Sequence, residues 1–320
     1  MRNSIKRTLK RGLTLSSLTM ASIYCLNKAI SFTASAKNIL TSENGNYFDW
    51  RYGSIYYTKS GSGSPILLIH DLSPESSSYE WNKLVKKMQR QHTVYTIDLL
   101  GCGRSDKPNL TYTSYMYVQL VTDFIKKIIG EKADIIVSGY SASFVIMACK
   151  MNHEHFKKII MLNPPELYSL SQSPTRSKNM LKLLMELPLI GTLVYNIEMM
   201  ERNIAVRLGQ SFYKRHMVPT QLVHAYYEGA HLEDSHGKYL LSSIRSYYTN
   251  INMTNALKQI DNSLYIIESR GHLDAVETIK DYMHANPSIE TIYLPKTNAL
   301  PQLEAPEKTY EYINVFLQSK

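Results

Sequence analysis

Short apolar runs alternate with helix-like stretches between residues 47 and 166, and this alternation constrains the fold more than any other feature. The runs at 66–70, 93–98, 133–137 and 158–162 are almost continuously apolar, as strands buried on both faces are. Stretches with helical spacing, 80–90 and 115–129, fall between them. Such an order predicts an α/β fold with a mostly parallel central sheet flanked by helices. From about residue 167 to 258 the signals turn helical, at 177–186, 193–208, 220–229 and 238–248. Strands return at 263–267 and 290–294, with helices at 275–285 and 306–317. A helical block inserted into such a sheet forms a cap over the C-terminal strand ends, where α/β sheets bind their ligands. The expected division is 1–46 as an N-terminal membrane anchor or signal segment and linker, 47–166 and 257–320 as the core, and 167–256 as the cap.

The sharpest local signal lies at Gly139-Tyr140-Ser141-Ala142-Ser143, directly after one apolar run and directly before another. A strand turning sharply into a helix exposes its turn residue, and small neighbours let the two elements approach. Those are the requirements of a nucleophile elbow, which makes Ser141 the candidate nucleophile. A serine-rich turn without chemistry satisfies the same local pattern.

The chain has net charge +9, part of it in Arg2, Lys6, Arg7, Lys10 and Arg11. No interleaved basic and aromatic stretch follows, so the expected partners do not include nucleic acid. The basic head precedes a moderately apolar stretch, 12–26, interrupted at Asn27-Lys28, and Ala34-Ser35-Ala36 offers a cleavage site. This pattern suits a signal anchor or a cleaved signal. The stretch is shorter than the roughly 20 apolar residues of a spanning helix, which leaves an amphipathic surface helix open. Membrane association through residues 1–36, or export, is therefore expected, with the globular part outside the cytoplasm and a cytoplasmic location as the alternative. Cys25, Cys102 and Cys149 match no metal or redox spacing, and no cofactor fingerprint occurs.

Four motifs in order carry a family resemblance. They are Ile66-Leu67-Leu68-Ile69-His70-Asp71; the run 95–108, with Asp98, Gly101, Gly103 and Arg104; Ser138-Gly139-Tyr140-Ser141; and Leu300-Pro301-Gln302-Leu303-Glu304-Ala305-Pro306-Glu307. Over roughly residues 47–318 the chain resembles the cap-bearing branch of the α/β-hydrolase superfamily. The resemblance implies Ser141 as nucleophile and the backbone N–H groups of Leu72 and Ala142 as oxyanion donors. It also implies a structural role for His70 and a turn-supporting role for Asp98.

Two positions depart from the pattern. The glycine expected after His70 is Asp71, a carboxylate beside the oxyanion donors. The catalytic histidine's position is Ala299, which cannot accept a proton. His272 is the leading candidate for a displaced base; His224, His231 and His236 in the cap are others. Asp274 and Glu166 are the candidate acids. Two readings follow: an esterase-like hydrolase acting on a small apolar substrate, or an inert member of the fold that binds a ligand or partner. Neither requires a cofactor or a metal.

Overall fold

The computed structural model describes residues 2–41, 45–272 and 274–319; the side chains of Arg2, Lys6, Arg7, Lys10 and Arg11 lie outside what is described, as do residues 42–44 of the expected linker. Eight strands form one sheet in the order β1-β2-β4-β3-β5-β6-β7-β8. The strands are β1 (Gly45–Trp50), β2 (Gly53–Ser60), β3 (Ser64–Ile69), β4 (His92–Ile97), β5 (Ala133–Ser138), β6 (Phe156–Leu162), β7 (Leu264–Ser269) and β8 (Glu290–Leu294). β1, β2 and β4 pair antiparallel, and every pairing from β4 through β3 to β8 is parallel.

Successive side chains of a strand face opposite sides, so these continuously apolar strands fill two cores. Leu67, Ile69, Ile135, Val137, Ile159 and Met161 join one buried cluster. Ile66, Leu68, Ile136, Ile160 and Leu162 join the other. Each such side chain contributes about 1.5–3 kcal/mol when fully buried.

The helices in chain order are α1 (Arg2–Ser35), α2 (Asn82–Met88), α3 (Ser114–Phe124), α4 (Ser141–Met151), α5 (Leu167–Leu170), α6 (Arg176–Glu186) and α7 (Ile190–Glu198). They continue with α8 (Glu201–Ser211), α9 (Thr220–Ser235), α10 (Lys238–Arg245), α11 (Thr254–Leu257), α12 (Ala275–Ala285), α13 (Pro301–Glu304) and α14 (Pro306–Gln318). Helices α5 to α11 lie between β6 and β7 in the chain, and α6 to α10 hold a separate apolar core around Tyr195, Ile204, Leu208 and Tyr226. The single helix expected over 193–208 is two helices, broken at Met199-Met200, where Met200 takes an extended ψ of 143°; Met199 is buried in this core.

The N-terminal segment folds as one long helix whose C-terminal part docks on the cap. Helix α1 packs against α7 and α9. Asn27 Nδ2 donates to the Leu189 carbonyl at 3.1 Å, Asn196 Nδ2 donates to Asn27 Oδ1 at 3.0 Å, and Ser31 and Ser235 hydroxyls lie 2.9 Å apart. Ala34, in the expected cleavage site, is buried, and a cut there would remove Asn27 and Ser31 from the cap. Just beyond the helix, the Ile39 N–H donates to Glu228, and Arg104 donates to the Leu40 carbonyl at 2.8 Å. Among the described residues, no single helix is long and apolar enough to cross a membrane.

Candidate functional site

Strand β5 ends at Ser138 and α4 begins at Ser141, so the bend consists of Gly139 and Tyr140. Gly139 has φ +56°, in the left-handed region. A Cβ on Gly139 would lie 2.3 Å from Asp71 Oδ1. Gly139 is therefore the apex of the elbow, and the space its side chain would enter is filled by the Asp71 carboxylate. This corrects the register expected from sequence by two residues. Ser141 sits inside the first turn of α4 with 0% exposure. Its hydroxyl donates to the His70 carbonyl at 2.6 Å, which braces the elbow against the loop after β3. Ser141 does not reach the cavity described below, and a buried hydroxyl held on a carbonyl is not poised to attack a substrate.

The oxyanion donors shift with the register. Ala142, the expected donor, spends its N–H on the Gly139 carbonyl at 3.1 Å. The N–H groups that converge are those of Leu72 and Tyr140, at 2.9 Å and 2.7 Å from one acceptor, Asp71 Oδ1. Two backbone donors aimed at one point are what an oxyanion requires. Here a carboxylate of the protein occupies that point. Burial raises the Asp71 pKa to about 6; the bonds from Tyr140 and Leu72 and the nearby His272 act in the opposite direction.

The opposite wall carries the base side. Ala299 lies in the loop between β8 and α13, and its carbonyl accepts from Asn163 Nδ2 at 3.0 Å. His272 lines the same cavity as Asp71, Gly139 and Ala299. Its Nδ1 lies 2.9 Å from Glu268 Oε1, one helical-turn spacing earlier in the chain. Glu268 is the penultimate residue of β7 and fully buried; burial raises its pKa, against the smaller lowering by the His272 bond. Its Oε2 has no hydrogen-bond partner among the described residues.

The acid that orients His272 is thus Glu268, not either candidate chosen from sequence. Asp274 is exposed and opens α12 with φ +55°. Glu166 is an exposed residue on the cavity wall, before α5. The signal for Glu268 was its place at the C-terminal end of an apolar strand four residues before a histidine.

The remaining candidates are accounted for elsewhere. His70 Nε2 accepts from the Leu99 N–H at 3.0 Å, which fixes the proton on Nδ1, 2.7 Å from the Asp71 carbonyl. Burial lowers its pKa, so it braces the loop as a neutral ring. Asp98 accepts from Arg104 and from the Ser78 N–H, in the turn-supporting role expected. His224 contacts Lys37 and Glu201, His231 contacts the Tyr227 carbonyl, and His236 packs on the Tyr239 ring. Among the described residues, no group of three or more His, Cys, Asp or Glu side chains could hold a metal ion.

Core and cap enclose a cavity of about 480 Å³, with Asp71, Tyr140 and His272 on the core side and Arg207, Leu208 and Tyr226 on the cap side. Two polar ties close it. Arg207 donates to Glu75 at 3.0 Å, and the Tyr226 hydroxyl donates to Glu80 Oε1 at 2.7 Å. Gln302 Nε2 reaches the other Glu80 oxygen at 3.1 Å. Burial pushes the Glu80 pKa up to about 8, so this carboxyl is mainly protonated at neutral pH. An adjoining space of about 790 Å³ shares Asp71, Tyr140 and Arg207 and reaches Leu181 on α6.

Comparison with known proteins agrees with this architecture. The alpha/beta hydrolase family matches residues 66–312, and the chain belongs to that family. A haloalkane dehalogenase of Agrobacterium fabrum is 24% identical over 110 residues, covering 34% of this chain and 36% of the relative. A 2-hydroxy-6-oxo-6-(2'-aminophenyl)hexa-2,4-dienoic acid hydrolase of Metapseudomonas resinovorans is 32% identical over 71 residues, covering 22% of this chain and 24% of the relative. These matches span only about a third or less of the curated relatives' length. Solved structures match more fully. A serine hydrolase involved in carbazole degradation superposes with TM-score 0.71 at 14% identity, over 85% of this chain and 98% of that one. A meta-cleavage product hydrolase of Pseudomonas fluorescens IP01 gives 0.68 at 16% identity, over 86% and 98%.

Proposed function

We propose that this chain is a ligand-binding member of the alpha/beta hydrolase family that holds a small, largely apolar molecule between core and cap without serine acyl transfer. One observation carries the reading: the Asp71 carboxylate rests on the Leu72 and Tyr140 N–H groups. A tetrahedral oxyanion needs such donors free, and an anion already there opposes a second. Gly139 at the apex and Ala299 on the base side support it, since neither side chain can attack or accept a proton. The relatives are named for reactions of small organic molecules, in keeping with the size of the cavity. The test is labelling with a fluorophosphonate probe beside Ser141→Ala. The expected result is no labelling that depends on Ser141; labelling abolished by Ser141→Ala would overturn the reading.

One arrangement favours a second reading, hydrolysis by a carboxylate and a histidine. Glu268 holds His272 through Nδ1, which leaves Nε2 for a proton. Asp71 has Oδ1 on two N–H groups and no hydrogen-bond partner for Oδ2 among the described residues, as a carboxylate nucleophile would. Turnover of a panel of small esters, epoxides and alkyl halides decides between the two. This reading requires activity lost in both Asp71→Asn and His272→Ala and kept in Ser141→Ala. Membrane association is proposed for the N-terminal segment, peripheral and through α1.

A further inference from the structure

The cap carries an apolar surface that the cavity does not use. On α6, Met180, Leu183 and Leu184 share one face with Leu187 just beyond the helix. On α7, Ile190, Val194 and Ile197 share another. All seven are exposed, Met180 at 65%, Leu183 at 68% and Ile190 at 59%. Side chains of this size are ordinary on a surface one at a time. A run of seven on one helical hairpin marks a docking face. Of the charges on the hairpin, Lys182 pairs with Glu186 at 2.6 Å and Glu198 pairs with Arg245, while Arg176 and Lys178 have no carboxylate partner among the described residues. The two helices are bent by 96° and reach the length and apolarity of a membrane span only when taken together.

Helix α1 joins this face. Asn27 is bonded to the Leu189 carbonyl in the α6–α7 turn, so α1 crosses the hairpin at its tip. Immediately before that crossing, Leu18, Met20, Tyr24 and Leu26 are exposed. The sequence through Ser42 contains seven basic residues and no acidic one, which accounts for most of the net charge of +9. An apolar hairpin beside a purely basic segment matches the chemistry of an anionic bilayer, where acyl chains accept the leucines and headgroups attract the cations. A second copy of the chain would offer an N-terminal segment of the same charge sign, not a complementary one.

We propose that the α6–α7 hairpin inserts shallowly into an anionic lipid bilayer, with the α1 helix lying along the same surface. This deepens the membrane association proposed for α1 by adding a second contact on the cap.

The experiment is flotation of the full chain with vesicles of phosphatidylcholine alone and of phosphatidylcholine with phosphatidylglycerol. The expected bound fraction is at least fivefold higher on the anionic vesicles. Leu183→Glu with Ile190→Glu should lower it at least fivefold, with an unchanged circular dichroism spectrum. Met180→Ser with Val194→Ser, which adds no charge, should lower it by a smaller factor in the same direction. Replacing Arg2, Lys6, Arg7, Lys10 and Arg11 by Gln tests the α1 contact separately. If that variant alone loses binding and both hairpin variants float as the parent does, the hairpin proposal is overturned while the α1 reading stands. Equal binding to both vesicle types, or a hairpin-dependent dimer in light scattering with no flotation, also overturns it.

Discussion

The two walls of the cavity depart from the serine acyl-transfer pattern in different ways. On the elbow wall the backbone machinery is complete: β5 turns into α4, and two N–H groups converge at 2.7 Å and 2.9 Å on a point that a carboxylate fills. On the wall formed after β7 and β8, the side-chain machinery is displaced: Ala299 is silent, and a His272–Glu268 pair stands nearby on another loop. Backbone donors come with the fold and survive side-chain replacement. A base and its acid exist only as side chains, so they can vanish from one position and arise at another. A site with complete donors is therefore evidence of ancestry more than of chemistry.

The contrast is broken most severely at Gly139. Gly139→Ser places a Cβ 2.3 Å from Asp71 Oδ1 at a residue with φ +56°, and is expected to destabilise by about 2–4 kcal/mol in urea unfolding. Adding Asp71→Gly should recover at least half of that loss; additive losses would mean that the two residues do not share the space. With Ala299→His as a third change, fluorophosphonate labelling at residue 139 is the expected gain. A folded triple variant that stays unlabelled would show that the cap excludes the probe or that the introduced imidazole is misplaced.

Glu80, which ties both walls to the cap, gives the next effect. Its folded-state pKa, about 8, lies above the unfolded value of 4.5, so the folded state holds the proton more tightly. Its contribution to stability is complete below pH 4.5 and is lost as pH rises through about 8. Thermal melts should fall between pH 5 and 9, and Glu80→Gln should flatten that fall by an amount on the order of 3 kcal/mol. A variant whose melting curve tracks the parent at every pH would place the titration elsewhere.

A smaller change is expected on the base wall. His272→Ala leaves Glu268 buried without its one side-chain partner, at a cost of about 1–3 kcal/mol that shrinks at low pH as the carboxyl takes up a proton. A loss that grew on acidification would contradict the pairing. The smallest effect belongs to Ser141→Ala, which removes one buried hydrogen bond to the His70 carbonyl, about 1 kcal/mol, and should leave ligand binding in calorimetry unaltered.

The strands were legible because burial on both faces writes itself as continuous apolar sequence, and the cap because it interrupts that rhythm. The four motifs located the site's loops for the same reason. What sequence misplaced was the apex. Gly139-Tyr140-Ser141 presents a serine after a glycine, whereas the bend is set by which residue can adopt a positive φ; here that is the glycine. Asp71 was correctly marked as a carboxylate beside the donors, but its destination depends on a gap across the elbow, a distance no local pattern encodes. Glu268 is easily passed over, because a carboxylate near the end of an apolar strand reads as its boundary, although a histidine follows four residues later.

The close approach of Asp71 to Gly139 also sets the order in which the two positions can change. With the carboxylate in place, residue 139 tolerates only a glycine, and with a glycine there, nothing disfavours the carboxylate. The constraint therefore runs one way: residue 71 is free to change while residue 139 is glycine, but residue 139 can take a side chain only after residue 71 has given up the space. A serine at the elbow is thus reached in one order, Asp71→Gly before Gly139→Ser, and a base at position 299 is a separate, third step.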